Sequence, residues 1–537
     1  MKHGELQKEQ APLYEALYRY KNSRQASFHV PGHKQGRAYA AFSGGAGFLE
    51  QIMEADVTEI SGTDDLHHPE GVIRDAQLLA AECFGAEESF FLVGGSTSGN
   101  LAMILTVCEK PGDILLVQRN VHKSVLNGLM LAGARAVFLQ PQQDKSSGLV
   151  TAPAPETITA ALDAYPEAKG VLVTMPNYYG MGTDLTPIAE ACHRHHVPLL
   201  VDEAHGAHFG QHPQLPQSAL ASGADVVVQS THKMLAALTM GAMLHVQGPR
   251  VNRGLLRQRL AMVQSSSPSY PVMGSLDLAR RLLHVQGARA FTAGLAAVEG
   301  LKRGLAELPR YGLLHPQEQQ GEAADAAMSA YTTQDPFKVV IYDRMGILSG
   351  YELQHRLEAR GCIPEMSDDR YVVLLYSLGS TKEDTRHLLD ALSHISVEKA
   401  DAQTLHSLHG NAGIFPGPTS TEGSTESTEK SPFVEFSTWN NSSQGHFSEP
   451  IPFSLAALEP DETEAVRLQD CSGRTAAEMI IPYPPGIPLL YPGERITEAA
   501  ALRLQGLAQA GAKCQGAQDS KLRTILVFKN SRKQGHV

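Results

Sequence analysis

Lys233 stands in VVVQSTHKML (226–235), where three valines run directly into a Ser-Thr-His-Lys cluster. A charged amine is almost never fully buried without a partner, so Lys233 is either turned to solvent or engaged chemically. Two other apolar runs end in reactive groups. PLLVDEAHGAH (198–208) delivers Asp202, with His205 and His208 just behind it. FFLVGGSTSGN (90–100) delivers Ser96, Thr97 and Ser98 after two glycines, at what reads as a helix start. Backbone amides and hydroxyls at such a start favour a phosphate. Each signal has a plainer alternative. A Gly/Ser turn before a helix is equally an N-cap, and Asp202 could cap a turn or pair with a nearby histidine. Asp202, His205 and His208 also suggest a metal, yet no third ligand of similar quality lies close in sequence, so none is expected.

Taken together, the three strand ends offer a phosphate cradle, an acid for a protonated ring nitrogen and an amine able to form a Schiff base. Those are the requirements of pyridoxal 5'-phosphate. At the end of a buried strand, desolvation lowers the pKa of the Lys233 amine toward use as a nucleophile.

The elements that must position these groups follow from the apolar runs. SFFLVGG (89–95), DILLVQR (113–119), AVFLQ (136–140), GVLVTMP (170–176), PLLVDEA (198–204), ADVVVQS (224–230) and GAMLHV (241–246) read as strands. Between several of them lie stretches of helical periodicity with Pro or Gly stops, such as SGNLAMILTVCEK and TPIAEACHRHHV. Continuous Val/Leu/Ile runs mean strands covered on both faces. An α/β fold with a mostly parallel sheet flanked by helices is therefore expected. In such sheets ligands collect beyond the carboxyl ends of the strands. From Phe337 a second pattern, FKVVIYD, GYELQHRLEARG, YVVLLYSLG and KEDTRHLLDALSHI, reads strand, helix, strand, helix. The expected division is an N-terminal arm (1–60), a large domain (61–330), a small α/β domain (331–411), a flexible Ser/Thr/Glu-rich insertion (412–431) and a C-terminal domain (432–537).

Composition narrows the function class. A chain of 537 residues holds two or three domains. A net charge of -12 argues against nucleic acid and loosely suits cationic small molecules. The mixed, charged N-terminus has no apolar signal core, and no stretch approaches the ~20 apolar residues of a membrane span. A cytoplasmic location is expected. Six cysteines (Cys83, Cys108, Cys192, Cys362, Cys471 and Cys514) are scattered without CxxC pairing, which suits reduced thiols rather than zinc.

In order and wording, SFHVPGHKQG (27–36), SGTDDLHHPEG (61–71), FFLVGGSTSGN, RNVHKSV (119–125), VDEAHGAH (201–208), QSTHKMLAALTMGAMLHV (229–246) and PYPPGIPLLYPGE (482–494) resemble the Orn/Lys/Arg decarboxylase class-I family. The SxHK and RNxHKS segments are specific; the glycine turn is not. These are pyridoxal-phosphate enzymes of the aspartate aminotransferase type fold. With HVPGHK near its start, the sequence is closer to the short Gram-positive arginine/lysine decarboxylases without an N-terminal receiver-like domain.

The resemblance implies roles. Lys233 holds the cofactor covalently, Asp202 pairs with its ring nitrogen, His122 stacks on the ring and Ala204 lies beneath it. Ser96, Thr97, Ser230 and His232 bind its phosphate. His205 follows where other members place an aromatic residue. Glu478 is the candidate acceptor for a substrate's distal ammonium or guanidinium, and His33 for a residue reaching the site from a partner subunit, within a homodimer or higher homo-oligomer with shared active sites. More plainly, Glu478 is a solvated helix-end residue, His33 a turn histidine and His122 a surface histidine before a helix.

The activity implied is decarboxylation of a basic L-amino acid, arginine first and lysine second, for polyamine supply. Such an enzyme must hold the α-carboxylate perpendicular to the cofactor ring in a poorly solvated pocket. Lys233 or a nearby histidine then protonates Cα. The alternatives are an aminotransferase or lyase on the same fold, for which Arg370 is a possible carboxylate clamp, and a non-catalytic relative.

Overall fold

Each of the seven Val/Leu/Ile runs contains a strand: β1 (Glu88–Leu92), β2 (Ile114–Gln118), β3 (Arg135–Leu139), β4 (Val171–Thr174), β5 (Leu199–Asp202), β6 (Val226–Gln229) and β7 (Ala242–Val246). The structure is a computed structural model that describes residues 6–23, 25–40, 47, 49–316, 330–397, 446–459, 461–483, 486–509 and 511–529. The expected insertion at 412–431, and Pro484 and Pro485 of the proline-dense stretch, lie outside the described residues.

An eight-stranded sheet runs in the order β1, β7, β6, β5, β4, β2, β3, with Ile451–Pro452 on the far edge. Strands β2 to β6 are mutually parallel. The connection from β6 to β7 contains only one helical turn, and β7 returns antiparallel to β6, as β1 does to β7. Every residue of β2, β5, β6 and β7 is buried, as expected for strands covered on both faces. Burial contributes roughly 1.5–3 kcal/mol per large aliphatic side chain.

Around the sheet lie α1 (Pro12–Asn22), α2 (Val72–Phe84), α3 (Gly95–Val107), α4 (Lys123–Ala132), the single turn α5 (Thr231–Met234) and α6 (Tyr270–Gln286), with further helices between them. Helix α3 sits hard against the sheet because position 99 is glycine: a methyl there would run into Val228 and Leu92. Asp277 of α6 receives the backbone amides of Leu13 (3.0 Å) and Tyr14 (3.3 Å), the first turn of α1. Its ion-pair partner Arg280 donates to the carbonyls of Lys8 (3.0 Å) and Gln10 (2.7 Å), so a buried pair ties the N-terminal arm down.

Two compact units divide the chain, one of residues 1–290, 330–333 and 433–537, the other of 291–329 and 334–432. The second holds a four-stranded antiparallel sheet of β8 (Tyr311–Leu313), β9 (Lys338–Asp343), β10 (Met366–Ser367) and β11 (Tyr371–Leu375), in the order β10, β11, β9, β8. Its helices are α7 (Thr292–Ala306), α8 (Gly350–Glu358) and α9 (Lys382–Val397). Thr385 of α9 donates to the Ala297 carbonyl at 2.9 Å. That packing places α7 and β8 with the small unit, which begins at 291 rather than at the expected 331.

The C-terminal segment belongs to the first unit. Its own core gathers Leu468, Ile480, Leu490, Leu504, Ile525 and Val527 around helix α10 (Glu498–Gln509). Arg119, one residue beyond β2, grips this segment. Its guanidinium donates to both oxygens of Glu494 (2.9 and 2.8 Å) and to the carbonyls of Pro488 (3.1 Å) and Leu489 (3.0 Å), and lies 3.9 Å over the Tyr491 ring.

Candidate active site

The polar residues beyond the carboxyl ends of β1, β2, β5 and β6 converge. Asp202 is the last residue of β5 and is 3 % exposed. Its Oδ1 accepts from the backbone N–H of Ala204 at 3.1 Å and its Oδ2 from Asn100 Nδ2 at 2.9 Å. Asn100 sits on α3 and donates also to Ser124 Oγ at 2.9 Å. Ser124 Oγ is 2.8 Å from Nδ1 of His122, the residue capping α4. A continuous hydrogen-bonded line, buried from Asp202 to Ser124, thus joins Asp202, Asn100, Ser124 and His122.

Lys233 lies on α5, just past β6. Its Nζ is 3.1 Å from Nε2 of His205, whose ring meets Tyr178 edge-on with centroids 4.5 Å apart. Burial holds the His122 pKa below its ordinary value. The Asp202 charge works against that shift, and Lys233 and Lys123 reinforce it. The charges of both Asp202 and Lys233 therefore act on the one imidazole of His122.

At the neighbouring strand ends, Ser230 Oγ donates to Ser96 Oγ at 2.8 Å. The pair lies at the start of α3, where Gly94 and Thr97 are exposed and first-turn amides have no partner within the helix. Hydroxyls and amides at a solvent-open helix start are a donor set suited to an anion. His232 is committed differently. Its Nδ1 is 3.0 Å from the Gly241 carbonyl, which can only accept. The ring can then offer a phosphate a hydrogen only when Nε2 is protonated too. Burial lowers its pKa, opposed by the Gly241 hydrogen bond and aided by Lys233.

Two buried polar atoms in this region, Asn100 Oδ1 and Thr174 Oγ1, have no hydrogen-bond partner among the described residues. Thr174 is the register partner of Asp202 across β4 and β5. Buried unsatisfied polar atoms are rare in native proteins, so these fit a site built for a polar ligand. Amine, carboxylate, hydroxyl pair and helix start together have the chemistry a phosphorylated pyridine aldehyde needs.

The C-terminal segment closes over His122. Gly486 accepts from the Lys123 backbone N–H at 3.1 Å. It has a left-handed φ of +86°, and a Cβ there would stand 3.1 Å from His122 Nε2. Any other residue would be strained on both counts.

Glu478 and His33 are not joined to this cluster by any hydrogen bond among the described residues. Glu478 is buried, and its oxygens accept from the backbone of Leu526 (2.8 Å) and Gln518 (2.7 Å). Burial raises its pKa while those bonds lower it. His33 uses both ring nitrogens locally, on the Gly36 amide (3.2 Å) and the Asp56 carboxylate (3.2 Å). Arg370 lies in the second unit, over the rings of Tyr342 (5.0 Å) and Tyr371 (5.1 Å). Among the described residues no group of three or more His, Cys, Asp or Glu could hold a metal ion, and no helix is long and apolar enough to cross a membrane.

Asn100, Ser124, Tyr178 and Gly486 were not singled out from the sequence. One signal pointed to Asn100: with Ser96 it forms an i, i+4 pair on a helix, which puts both on one face.

The model of the Orn/Lys/Arg decarboxylase major domain matches residues 11–384, and that of the C-terminal domain of the same family matches 454–515. The uncharacterised protein YaaO of Bacillus subtilis is 39 % identical over 96 % of this chain and 98 % of its own length. Arginine decarboxylase of Halalkalibacterium halodurans is 35 % identical over 97 % of this chain and 98 % of its own. Arginine decarboxylase of Bacillus subtilis is 32 % identical over 97 % of this chain and 99 % of its own. Among solved structures, the Francisella novicida lysine decarboxylase shares the fold with a TM-score of 0.72 at 22 % identity, covering 97 % of this chain and 81 % of that one.

Proposed function

The chain belongs to the Orn/Lys/Arg decarboxylase family, and from that premise we propose that it converts L-arginine to agmatine and CO₂, with L-lysine to cadaverine as the second-ranked reaction. It is an amino-acid decarboxylase acting on a basic amino acid, and its cofactor is pyridoxal phosphate. The observation that supports arginine is the end-to-end similarity, at 32 % and 35 % identity, to two relatives named arginine decarboxylase.

Within this reading Lys233 is the amine that holds the cofactor. Asp202 would pair with its ring nitrogen and keep that nitrogen protonated. His122 and Ala204 flank the ring, and Ser96, Thr97, Ser230 and His232 bind the phosphate. When bound, pyridoxal phosphate supplies an electron sink for the pair released from the bond between Cα and the carboxylate. His205, 3.1 Å from Lys233 Nζ, is placed to exchange a proton with that amine. Lys233 Nζ would be the group that holds the proton for the substrate Cα.

Glu478 meets the guanidinium through the lone pairs that Leu526 and Gln518 leave open, and His33 reaches the site from a second copy. Supply of polyamine precursors in the cytoplasm, by a homodimer or higher homo-oligomer, completes the proposal. All these parts rest on the family resemblance.

The test is to purify the full chain, add pyridoxal phosphate and assay L-arginine, L-lysine and L-ornithine for CO₂ and amine. Equimolar agmatine and CO₂ from arginine supports the reading. A keto acid without CO₂ would move the protein to the aminotransferases.

A further inference from the structure

Resting on that reading of the site, we propose that Asn100 and Ser124 are positioning residues that fix the tautomer of His122, holding it as a neutral imidazole with its hydrogen on Nε2. The direction of every bond in the line can be read from chemistry. The carboxylate of Asp202 accepts, so the Asn100 atom 2.9 Å from its Oδ2 is the amide nitrogen. The same nitrogen lies 2.9 Å from Ser124 Oγ and sends its second hydrogen there. Ser124 Oγ, having accepted, keeps its own proton to donate, and His122 Nδ1 is 2.8 Å away. The Ser124 backbone N–H approaches the same nitrogen at 3.2 Å. A ring nitrogen that receives two hydrogens carries none, so the proton of the neutral imidazole is on Nε2, the edge toward Gly486.

The line begins at a fixed charge. Asp202 is pinned on one oxygen by Ala204 and on the other by Asn100, and the orientation of Asn100 passes through Ser124 to the ring. The carboxylate expected to face the cofactor's ring nitrogen and the imidazole expected to cover its ring are therefore one hydrogen-bonded unit. In this state His122 is a hydrogen-bond donor at Nε2 and cannot take a proton there. Burial and the charges of Lys233 and Lys123 oppose the doubly protonated ring, against the pull of Asp202.

The tautomer is measured on the full chain by side-chain nitrogen NMR of ¹⁵N-histidine protein, with and without pyridoxal phosphate, His122→Gln assigning the resonance. The expected wild-type spectrum has an unprotonated Nδ1 and a protonated Nε2. Ser124→Ala leaves only the longer backbone N–H, 3.2 Å away, on Nδ1, so it should weaken the preference for the Nε2 tautomer and lower kcat about tenfold, with KM within about twofold, the worth of one hydrogen bond felt after substrate binds. Ser124→Thr, which keeps the hydroxyl, should restore both. Asn100→Ala, read in the same way, is the second variant should Ser124→Ala fail to fold. A wild-type hydrogen on Nδ1, or variants that leave tautomer and kcat unchanged, would overturn the inference. A wild-type spectrum of the expected form in a protein that takes up no pyridoxal phosphate and releases no CO₂ would instead remove the functional reading and leave the tautomer assignment standing.

Discussion

Nζ of Lys233 lies 3.1 Å from Nε2 of His205, on a helical turn just past one strand and a loop just past its neighbour. The amine proposed to hold the cofactor therefore has a hydrogen-bond partner supplied from beyond the adjacent strand. Lys233→Ala should abolish the visible absorption that wild-type protein gains with pyridoxal phosphate. Turnover should fall by about 10²-fold or more. Spectra and CO₂ release measured on the same preparation check both, and sustained turnover would remove Lys233 from its role.

Gly486→Ala places a methyl 3.1 Å from His122 Nε2 at a φ of +86°. The left-handed conformation costs a non-glycine residue about 1 kcal/mol. The fold should survive, with a thermal midpoint lowered by only about one degree, while kcat drops more than that small loss implies because the imidazole is displaced. A kcat equal to wild type would show that the segment only covers His122.

Glu494→Ala leaves the Arg119 guanidinium buried without its carboxylate, since both side chains are almost wholly enclosed (4 % and 2 % exposed). Breaking a buried pair from one side typically costs about 3–5 kcal/mol. Denaturant unfolding should report that loss. Activity should fall with it, because the pair anchors the segment that carries Gly486.

Glu203, beside Asp202 in sequence, faces away into a separate buried network. It accepts from the Ala219 amide (2.8 Å) and Gln229 Nε2 (2.7 Å), and burial pushes its pKa up to about 8. The folded protein therefore keeps a proton on this carboxyl that the unfolded chain, near 4.5, gives up. Its contribution is fully present below pH 4.5 and is lost as pH rises toward about 8. Glu203→Gln should flatten that slope, at the cost of one accepted hydrogen bond, because its amide nitrogen cannot accept from Ala219 or Gln229. Chemical denaturation at several pH values decides it, and an unchanged slope would refute the protonated carboxyl.

Much of the sheet and the strand-end chemistry could be read from the sequence because both are local. A run such as VVVQ is apolar at every position whatever lies elsewhere, and Asp202 and Lys233 stand at the ends of such runs. The contacts that align them are not local. Asn100 meets Asp202 across 102 residues, and Arg119 meets Glu494 across 375. No periodicity carries such pairings. Glu478 shows the same limit: its neighbours in sequence suggest a helix end, yet its carboxylate is taken by amides 40 and 48 residues downstream. The small unit departed from the sequence division for a related reason, since α7 belongs with α9 by packing and nothing in its own residues says so.

The turn bearing Lys233 is where the sheet reverses direction. It is stitched shut by its own backbone, Lys233 N–H to the Ser230 carbonyl and His232 N–H to the Gly241 carbonyl, each at 3.0 Å. With the main chain immobilised on both sides, the amine can travel only as far as four methylenes swing it. On the proposed assignment of Lys233, every position at which it acts during a turnover falls inside that small sphere, so the reacting molecule must be brought to the lysine.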